Sequence, residues 1–297
     1  MTARPPYISA RYQATRLHAR GRYTTVFEGI DRAGGQPVAI KVLTNSPAHL
    51  RGQLIQRMHN EAQVLTRFSH PNILRCYHNG AAEEPPHLVV EWIQGGSLLG
   101  HLEQRAKPLQ PVHAMSIGLM LLDVLQVLHE ADIIHRDIKP ANILLRGEQA
   151  VLCDFGIAQL QAQERLTIAD SSMGSMNFMA PEQRVDARSV GPTADLYAVG
   201  CTLYQAMTGW STCNLFTARR NSPRWDGLPP AVTDVLFRAT RASPEERYAS
   251  SAQMAQAIQV VLETPGFAHS ASDFMMPRLD SPDTLPIDED DPTSSIG

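Results

Sequence analysis

Apolar positions alternate in short runs over the first ninety residues and then change period. Residues 12–17 and 24–31 read as two strands around a glycine-containing turn, and Ala33-Gly34-Gly35 turns the chain into residues 37–42, a β-branched run. Leu54, Met58, Ala62 and Leu65 have helical spacing, which predicts a helix over 54–68 ended by His70-Pro71-Asn72. Residues 73–77 and 87–92 read as two further strands. This part is therefore expected to be a small sheet with one inserted helix.

After Gly95-Gly96 the pattern is helical. Met115, Leu119, Leu122, Leu125 and Leu128 recur at threes and fours, behind Pro111, which suits a first helical turn. Residues 195–207, 231–240 and 251–262 predict three more helices. Ser243-Pro244-Glu245-Glu246 has capping-box spacing and predicts a helix start there. Short apolar runs at 143–145 and 150–153 lie between the long helices. From about Pro265 the chain is rich in Pro, Asp and Ser and unable to form a core. No repeat is visible. The predicted fold class is α+β, with a β-rich part and a larger helical part.

Composition narrows this modestly. The 297 residues are 43% apolar, with 19 glycines and 21 prolines, which excludes collagen-like, coiled-coil and wholly disordered chains. The longest apolar stretch, 115–128, is cut by Asp123 and Gln126, so no membrane span is expected, and the first ten residues lack the apolar segment of a secretion signal. A cytoplasmic location follows as the default. Cys76, Cys153, Cys201 and Cys213 have neither zinc nor disulfide spacing, and His101, His129 and the other scattered histidines read as packing or surface residues. The net charge of −4 is concentrated after Pro265, where seven acidic residues face Arg278 alone; the remainder stands at +2, which gives no reason to expect nucleic-acid binding. Of 26 basic residues only Lys41, Lys107 and Lys139 are lysine. In a chain that otherwise uses arginine, these mark places where a compact ammonium matters.

Two of those lysines lie in motifs. Val38-Ala39-Ile40-Lys41 comes first. His135-Arg136-Asp137-Ile138-Lys139-Pro140-Ala141-Asn142 follows, with Asp154-Phe155-Gly156 twelve residues beyond it, and Ala180-Pro181-Glu182 closes a 29-residue segment counted from Asp154. In this order and spacing the chain resembles the eukaryotic-type (Hanks-type) protein kinase family, and Tyr197-Ala198-Val199-Gly200-Cys201-Thr202-Leu203-Tyr204 resembles its bacterial serine/threonine members. The likeness runs from about residue 11 to 262.

The resemblance implies a two-lobed fold: residues 1–10 disordered, an N-lobe over 11–93, a C-lobe over 94–264 and an acidic disordered tail over 265–297. It implies transfer of the ATP γ-phosphoryl group to Ser/Thr hydroxyls of proteins, including the chain's own. Phosphoryl transfer needs charge neutralised on the phosphates and the acceptor held in line. Lys41 would reach the α/β-phosphates and Glu61 would hold Lys41. Asn142 and Asp154 would bind Mg²⁺, or Mn²⁺, as hard oxygen donors. Asp137 would orient or deprotonate the acceptor hydroxyl and Lys139 would sit over the γ-phosphate. Ser175 would face the acceptor. Val26, Ala39 and Leu144 would sandwich adenine, with hinge groups from Glu91 and Ile93 beside Val90. Asp195 would bind catalytic-loop backbone, and Arg247 would pair with Glu182. Thr167, Ser171 and Ser172 are candidate phosphosites, read out through Arg136.

Two departures qualify the likeness. The family's glycine-rich loop aligns with Ala19-Arg20-Gly21-Arg22-Tyr23-Thr24-Thr25-Val26, which keeps Gly21 alone, and the stretch between Gly209 and Leu228 is short for a substrate-docking helix. They point to the alternative of a pseudokinase scaffold that binds partner proteins without catalysis, against which stand Lys41, Glu61, Asp137, Asn142 and Asp154. An aminoglycoside-type small-molecule kinase would not be expected to carry Ala180-Pro181-Glu182 or Arg247. In the tail, Thr284 and Thr293 each have isoleucine three residues on, a spacing that forkhead-associated phosphothreonine readers use.

Overall fold

A computed structural model describes residues 5–105, 107–155, 176–186, 190–264 and 267. Five antiparallel strands, β1 (Tyr12–Arg20), β2 (Thr24–Asp31), β3 (Gln36–Leu43), β4 (Cys76–Gly80) and β5 (His87–Glu91), form one sheet in the order β1-β2-β3-β5-β4. Helix α1 (Ala48–Arg67) connects β3 to the β4–β5 pair. Alternation along β3 decides what each side of the sheet does. Val38, Ile40 and Val42 join Tyr12, Phe27 and Val89 in one apolar cluster. Ala39 and Leu43 belong to the other cluster, with Leu54, Met58, Ala62 and Leu65 of α1. Lys41 shares parity with Ala39 and Leu43, so the strand's period of two delivers its ammonium to the α1 side. Glu61 in turn lies on the buried stripe of α1 with Met58, Ala62 and Leu65.

The second half is helical: α2 (Leu98–Gln104), α3 (Pro111–Glu130), α4 (Pro181–Val185), α5 (Thr193–Thr208), α6 (Pro230–Ala239) and α7 (Ser251–Leu262). A hairpin of β6 (Ile143–Arg146) and β7 (Gln149–Leu152) lies between α3 and α4. Helix α3 is long and apolar enough to cross a membrane by length and composition alone. It packs instead against α5, α7 and β7, burying Met115, Leu121, Leu122, Val124, Leu125 and Leu128. Helix α5 ends at Gly209, whose φ of 70° lets its N–H turn back to the carbonyl of Gln205.

Three local expectations needed correction. Helix α1 begins at Ala48, not Leu54, because its first turns are largely solvent-exposed and carry no buried apolar stripe. The run 73–77 is a strand only from Cys76. Ile73 and Leu74 are buried because they meet β7: Leu74 donates to the carbonyl of Leu152 at 3.0 Å, and Leu152 donates to that of Asn72 at 2.8 Å. Ser243 starts no α-helix; Pro244–Glu246 is a single 3-10 turn and the Ser243 hydroxyl engages the Glu245 carboxylate. The following helix is capped by Ser250, which accepts from the N–H of Gln253. Between α5 and α6 the chain makes two 3-10 turns, Leu215–Thr217 and Pro223–Trp225, and no α-helix. Trp225 anchors that stretch, its ring edge-on to Tyr204 and Phe237.

Candidate active site

The segment 135–142 is held from beneath by one carboxylate. Asp195, in the first turn of α5 and wholly buried, accepts the N–H of His135 at 2.9 Å and that of Arg136 at 2.7 Å. Its Oδ2 also accepts from Nε2 of His129 at 2.9 Å, which leaves Nδ1 of that ring to accept from Ser251 Oγ at 3.2 Å. A buried carboxylate without such donors would be strongly destabilising. His129 is thus a structural partner of the loop, a role its position in the sequence does not signal. Arg136 has φ of 66°, a left-handed geometry costing a non-glycine residue roughly 1 kcal/mol or more. Both its peptide groups are pinned: the N–H by Asp195 and the carbonyl by Gln183 Nε2 at 2.8 Å.

The His135 ring is a second brace. Nε2 donates to the carbonyl of Cys153 at 3.1 Å, Nδ1 accepts the N–H of Asp137 at 3.3 Å, and the ring stands edge-on to Phe155 at 4.8 Å. Asn142 donates to the Asp137 carbonyl and to its Oδ2, both at 2.8 Å, and Cys153 donates its N–H to the Asn142 carbonyl at 3.0 Å. Lys139 Nζ lies 2.9 and 2.8 Å from the two Asp137 oxygens. Asp137, Lys139 and Asn142 therefore belong to one hydrogen-bonded unit, and the Cys153 N–H ties it to the end of β7, next to Asp154.

Lys41 joins that unit to the sheet. Its Nζ lies 3.0 and 2.9 Å from the Glu61 oxygens and also pairs with Asp154 Oδ1. Burial alone would lower the lysine pKa, but Asp154 first and then Glu61 outweigh it, so the ammonium is held well above its ordinary value. Burial pushes Glu61 up to about 7; Lys41 opposes the rise, and the Asp154 charge adds to it. Asp154 moves the other way, because Lys41 outweighs the cost of its burial. One cation thus serves two carboxylates and favours Asp154. Like Arg136, Asp154 is left-handed, with φ of 62°.

Ala39, Val90 and Ile93 are buried in one apolar core, and Val26 and Leu144 pack against it, partly buried. Val26 pairs across the strands with Lys41 and with Ala19. Glu91 Oε2 takes Arg146 of β6 at 2.5 Å, fastening the end of β5 to the second half. In the β1–β2 turn Gly21 donates to the Thr24 carbonyl at 2.7 Å, a tight connection a Cβ would crowd at 3.2 Å. Farther away, Arg247 is buried and forms a two-pronged pair with Glu182, 2.7 Å on each side. Its other N–H groups reach the carbonyls of Arg241, Ala242 and Thr193 at 2.8–3.2 Å. Thr167, Ser171, Ser172, Ser175 and Gly156 lie outside the described residues.

Gln183 and His129 were not legible in the sequence, since each is a lone polar residue whose partner is distant. Comparison with known proteins agrees with the geometry. In fold, the chain is similar to the crystal structure of a mutant Mycobacterium tuberculosis PknI kinase domain, with a TM-score of 0.68 at 22% identity, covering 88% of this chain and 99% of that one. In sequence it is 30% identical to serine/threonine-protein kinase PknL of Mycobacterium tuberculosis, over 86% of this chain and 67% of the relative. It is 34% identical to serine/threonine-protein kinase Pkn1 of Myxococcus xanthus and 29% identical to PrkC of Bacillus subtilis, over 88% and 86% of this chain. It spans only 40% and 41% of those two proteins. Because residues 12–261 match the protein kinase domain model, the chain belongs to the protein kinase family.

Proposed function

We propose that this chain is a catalytically active serine/threonine protein kinase that moves the γ-phosphoryl group of ATP onto Ser/Thr hydroxyls of proteins and of itself. The observation that carries this is the placement of Lys41 between Glu61 and Asp154, with Asp154 linked through Cys153 and Asn142 to Asp137. A scaffold would have no need to hold one ammonium against a buried and a half-buried carboxylate, an arrangement with a large desolvation cost.

Lys41 neutralises the α/β-phosphates and Glu61 keeps it in place. Val26, Ala39 and Leu144 enclose the adenine beside Val90, with Glu91 and Ile93 offering backbone groups; Ala19 and Gly21 cover the phosphates. The residues also suit a divalent ion. Asn142 spends its amide N–H groups on Asp137, which leaves the carbonyl oxygen as its donor to a cation, and Lys41 keeps Asp154 ionised. Mg²⁺, or Mn²⁺, when bound there offsets charge on the phosphates. Asp137 takes or orients the acceptor hydroxyl's proton, Lys139 faces the γ-phosphate, and Ser175 borders the acceptor. Asp195 holds the loop from below, and the Glu182–Arg247 pair holds the segment that follows.

The same proposal assigns residues 11–93 and 94–264 to the two lobes, with 1–10 and 265–297 outside them. Thr167, Ser171 and Ser172 are the phosphate acceptors that would reach Arg136. The tail threonines Thr284 and Thr293 would offer phosphothreonine to a forkhead-associated module. A cytoplasmic setting supplies ATP and suits four unpaired cysteines.

The test is label transfer from γ-labelled ATP with Mg²⁺ to the chain itself and to a generic Ser/Thr protein acceptor. Lys41→Met and Asp137→Asn should each lose about a thousandfold or more of the rate, Asp137→Asn while unfolding at nearly the wild-type temperature. Label on neither substrate with the wild type would favour the scaffold.

A further inference from the structure

The geometry points to a second metal site, unrelated to the phosphates, at the tip of the β4–β5 hairpin: a zinc site made by His78, Glu83 and His87. Among the described residues these three bring one ligand atom each within 4.8 Å of one another. The sheet register explains the convergence. Gly80 pairs with His87 and His78 with Val89, so His78 and His87 are diagonal neighbours on one face, with ring centroids 5.6 Å apart. Glu83 comes from the connecting turn. Its Oε1 lies 2.7 Å from His78 Nε2, and its Oε2 lies 4.0 Å from His87 Nε2. The neighbouring Glu84 is turned the other way, onto Arg51 of α1 at 2.8 Å.

The decisive atom is His87 Nε2. The ring is wholly buried, and Nδ1 donates to the carbonyl of Pro85 at 2.8 Å, which fixes the tautomer and leaves Nε2 as a lone pair. That lone pair has no hydrogen-bond partner. A buried acceptor left unpaired costs roughly 1–3 kcal/mol, so its retention calls for an explanation. A backbone carbonyl on the far nitrogen is also the brace that metal-binding imidazoles commonly carry. The ring has been given room: a Cβ on Gly80 would fall 2.4 Å from His87 Cε1 and 2.5 Å from Nε2, so no other residue fits beneath it.

Two imidazoles and one carboxylate suit Zn²⁺, which takes such ligands at about 2.0–2.2 Å and therefore spaces the donor atoms about 3.3 Å apart. The 2.7 and 4.0 Å separations, to the two different Glu83 oxygens, lie on either side of that value; the three donor atoms must draw together from within 4.8 Å, and Glu83 and His78 are exposed enough to adjust. On binding, Zn²⁺ takes the place of any proton on His78 Nε2, which passes to Nδ1 of that ring or to solvent. Water completes the fourth position. The sequence hides the site because the histidines are nine residues apart and meet only through the hairpin register.

The test measures zinc directly. The full chain is stripped with a chelator, dialysed against Zn²⁺ with excess Mg²⁺ and no nucleotide, and assayed for bound zinc by atomic absorption and by competition with a chromophoric chelator. One zinc per chain is expected. His78→Gln and Glu83→Gln, both at exposed or half-exposed positions, should each weaken it about tenfold or more. They should also abolish the rise in unfolding temperature that zinc gives the wild type, while leaving the metal-free unfolding temperature within a few degrees. Wild-type chain that retains no zinc overturns the site. So does zinc held equally by wild type and both variants, which would assign it to other residues such as the exposed Cys213.

Discussion

Arg247, buried, and Lys41, half-buried, both reach carboxylates far away in sequence, and the environments built around them are opposite. Arg247 engages one carboxylate at 2.7 Å on both prongs, spends its remaining N–H groups on three carbonyls and lies over the Tyr197 ring at 5.0 Å. Its planar fork is fully used. Lys41 is a point charge shared between Glu61 and Asp154, and the carboxylate it favours less is driven up to about 7 by burial. The first arrangement is a closed fastener between α4 and the turn before α7. The second is a site with surplus negative charge, stable with one cation and suited to accept another. Structural pairs are satisfied internally; a site that must take a charged substrate keeps part of its electrostatics open.

Breaking the closed pair should produce the largest change in stability. Arg247→Ala leaves Glu182 and three carbonyls without their donor and is expected to cost about 3–5 kcal/mol, read as a loss of denaturation midpoint with unchanged slope. If Arg247→Ala unfolds like the wild type, the pair is ornamental and the contrast fails. Next in size is Glu61→Gln. With Lys41 then held by Asp154 alone, phosphoryl transfer should fall about a hundredfold, while the denaturation midpoint moves much less than for Arg247→Ala.

The pH dependence sharpens the contrast further. The folded protein holds the Glu61 proton to about pH 7, against an ordinary carboxyl value of 4.5. Stability of the wild type relative to Glu61→Gln should therefore be greatest below pH 4.5, decline as pH rises to about 7, and stay level above. Denaturation midpoints measured for both proteins at several pH values report the difference. A flat difference across that window would mean Glu61 titrates normally. The smallest effect belongs to an exposed pair used as a baseline: Arg16→Ala removes a contact with Glu28 at 2.5 Å and should cost under about 1 kcal/mol, less still in high salt.

Much of this was legible because the chemistry is written locally. Asp137, Lys139 and Asn142 fall within six residues, and Asp154 follows at fixed distance, so spacing alone exposes them. Lys41 is betrayed by its company on a β-branched strand, and Glu61 by its place on the apolar stripe of α1. Partners that meet only through folding were not visible. His129 reaches Asp195 across 66 positions, Gln183 reaches the Arg136 carbonyl across 47, and His78 meets His87 only by hairpin register. The capping signal at Ser243 misled because its spacing is local, whereas a helix also needs an apolar face to bury, and that face begins at Ser251.

By itself, then, the order of residues determined most of the succession of strands and helices, the family and which side chains are proposed to react, because period and motif spacing are properties of neighbouring positions. Tertiary structure alone decided which carboxylate Lys41 favours, what holds Arg136 in a left-handed conformation and which histidine keeps a buried lone pair. Those outcomes depend on distances and dielectric surroundings that arise only when segments remote along the chain share one low-polarity interior.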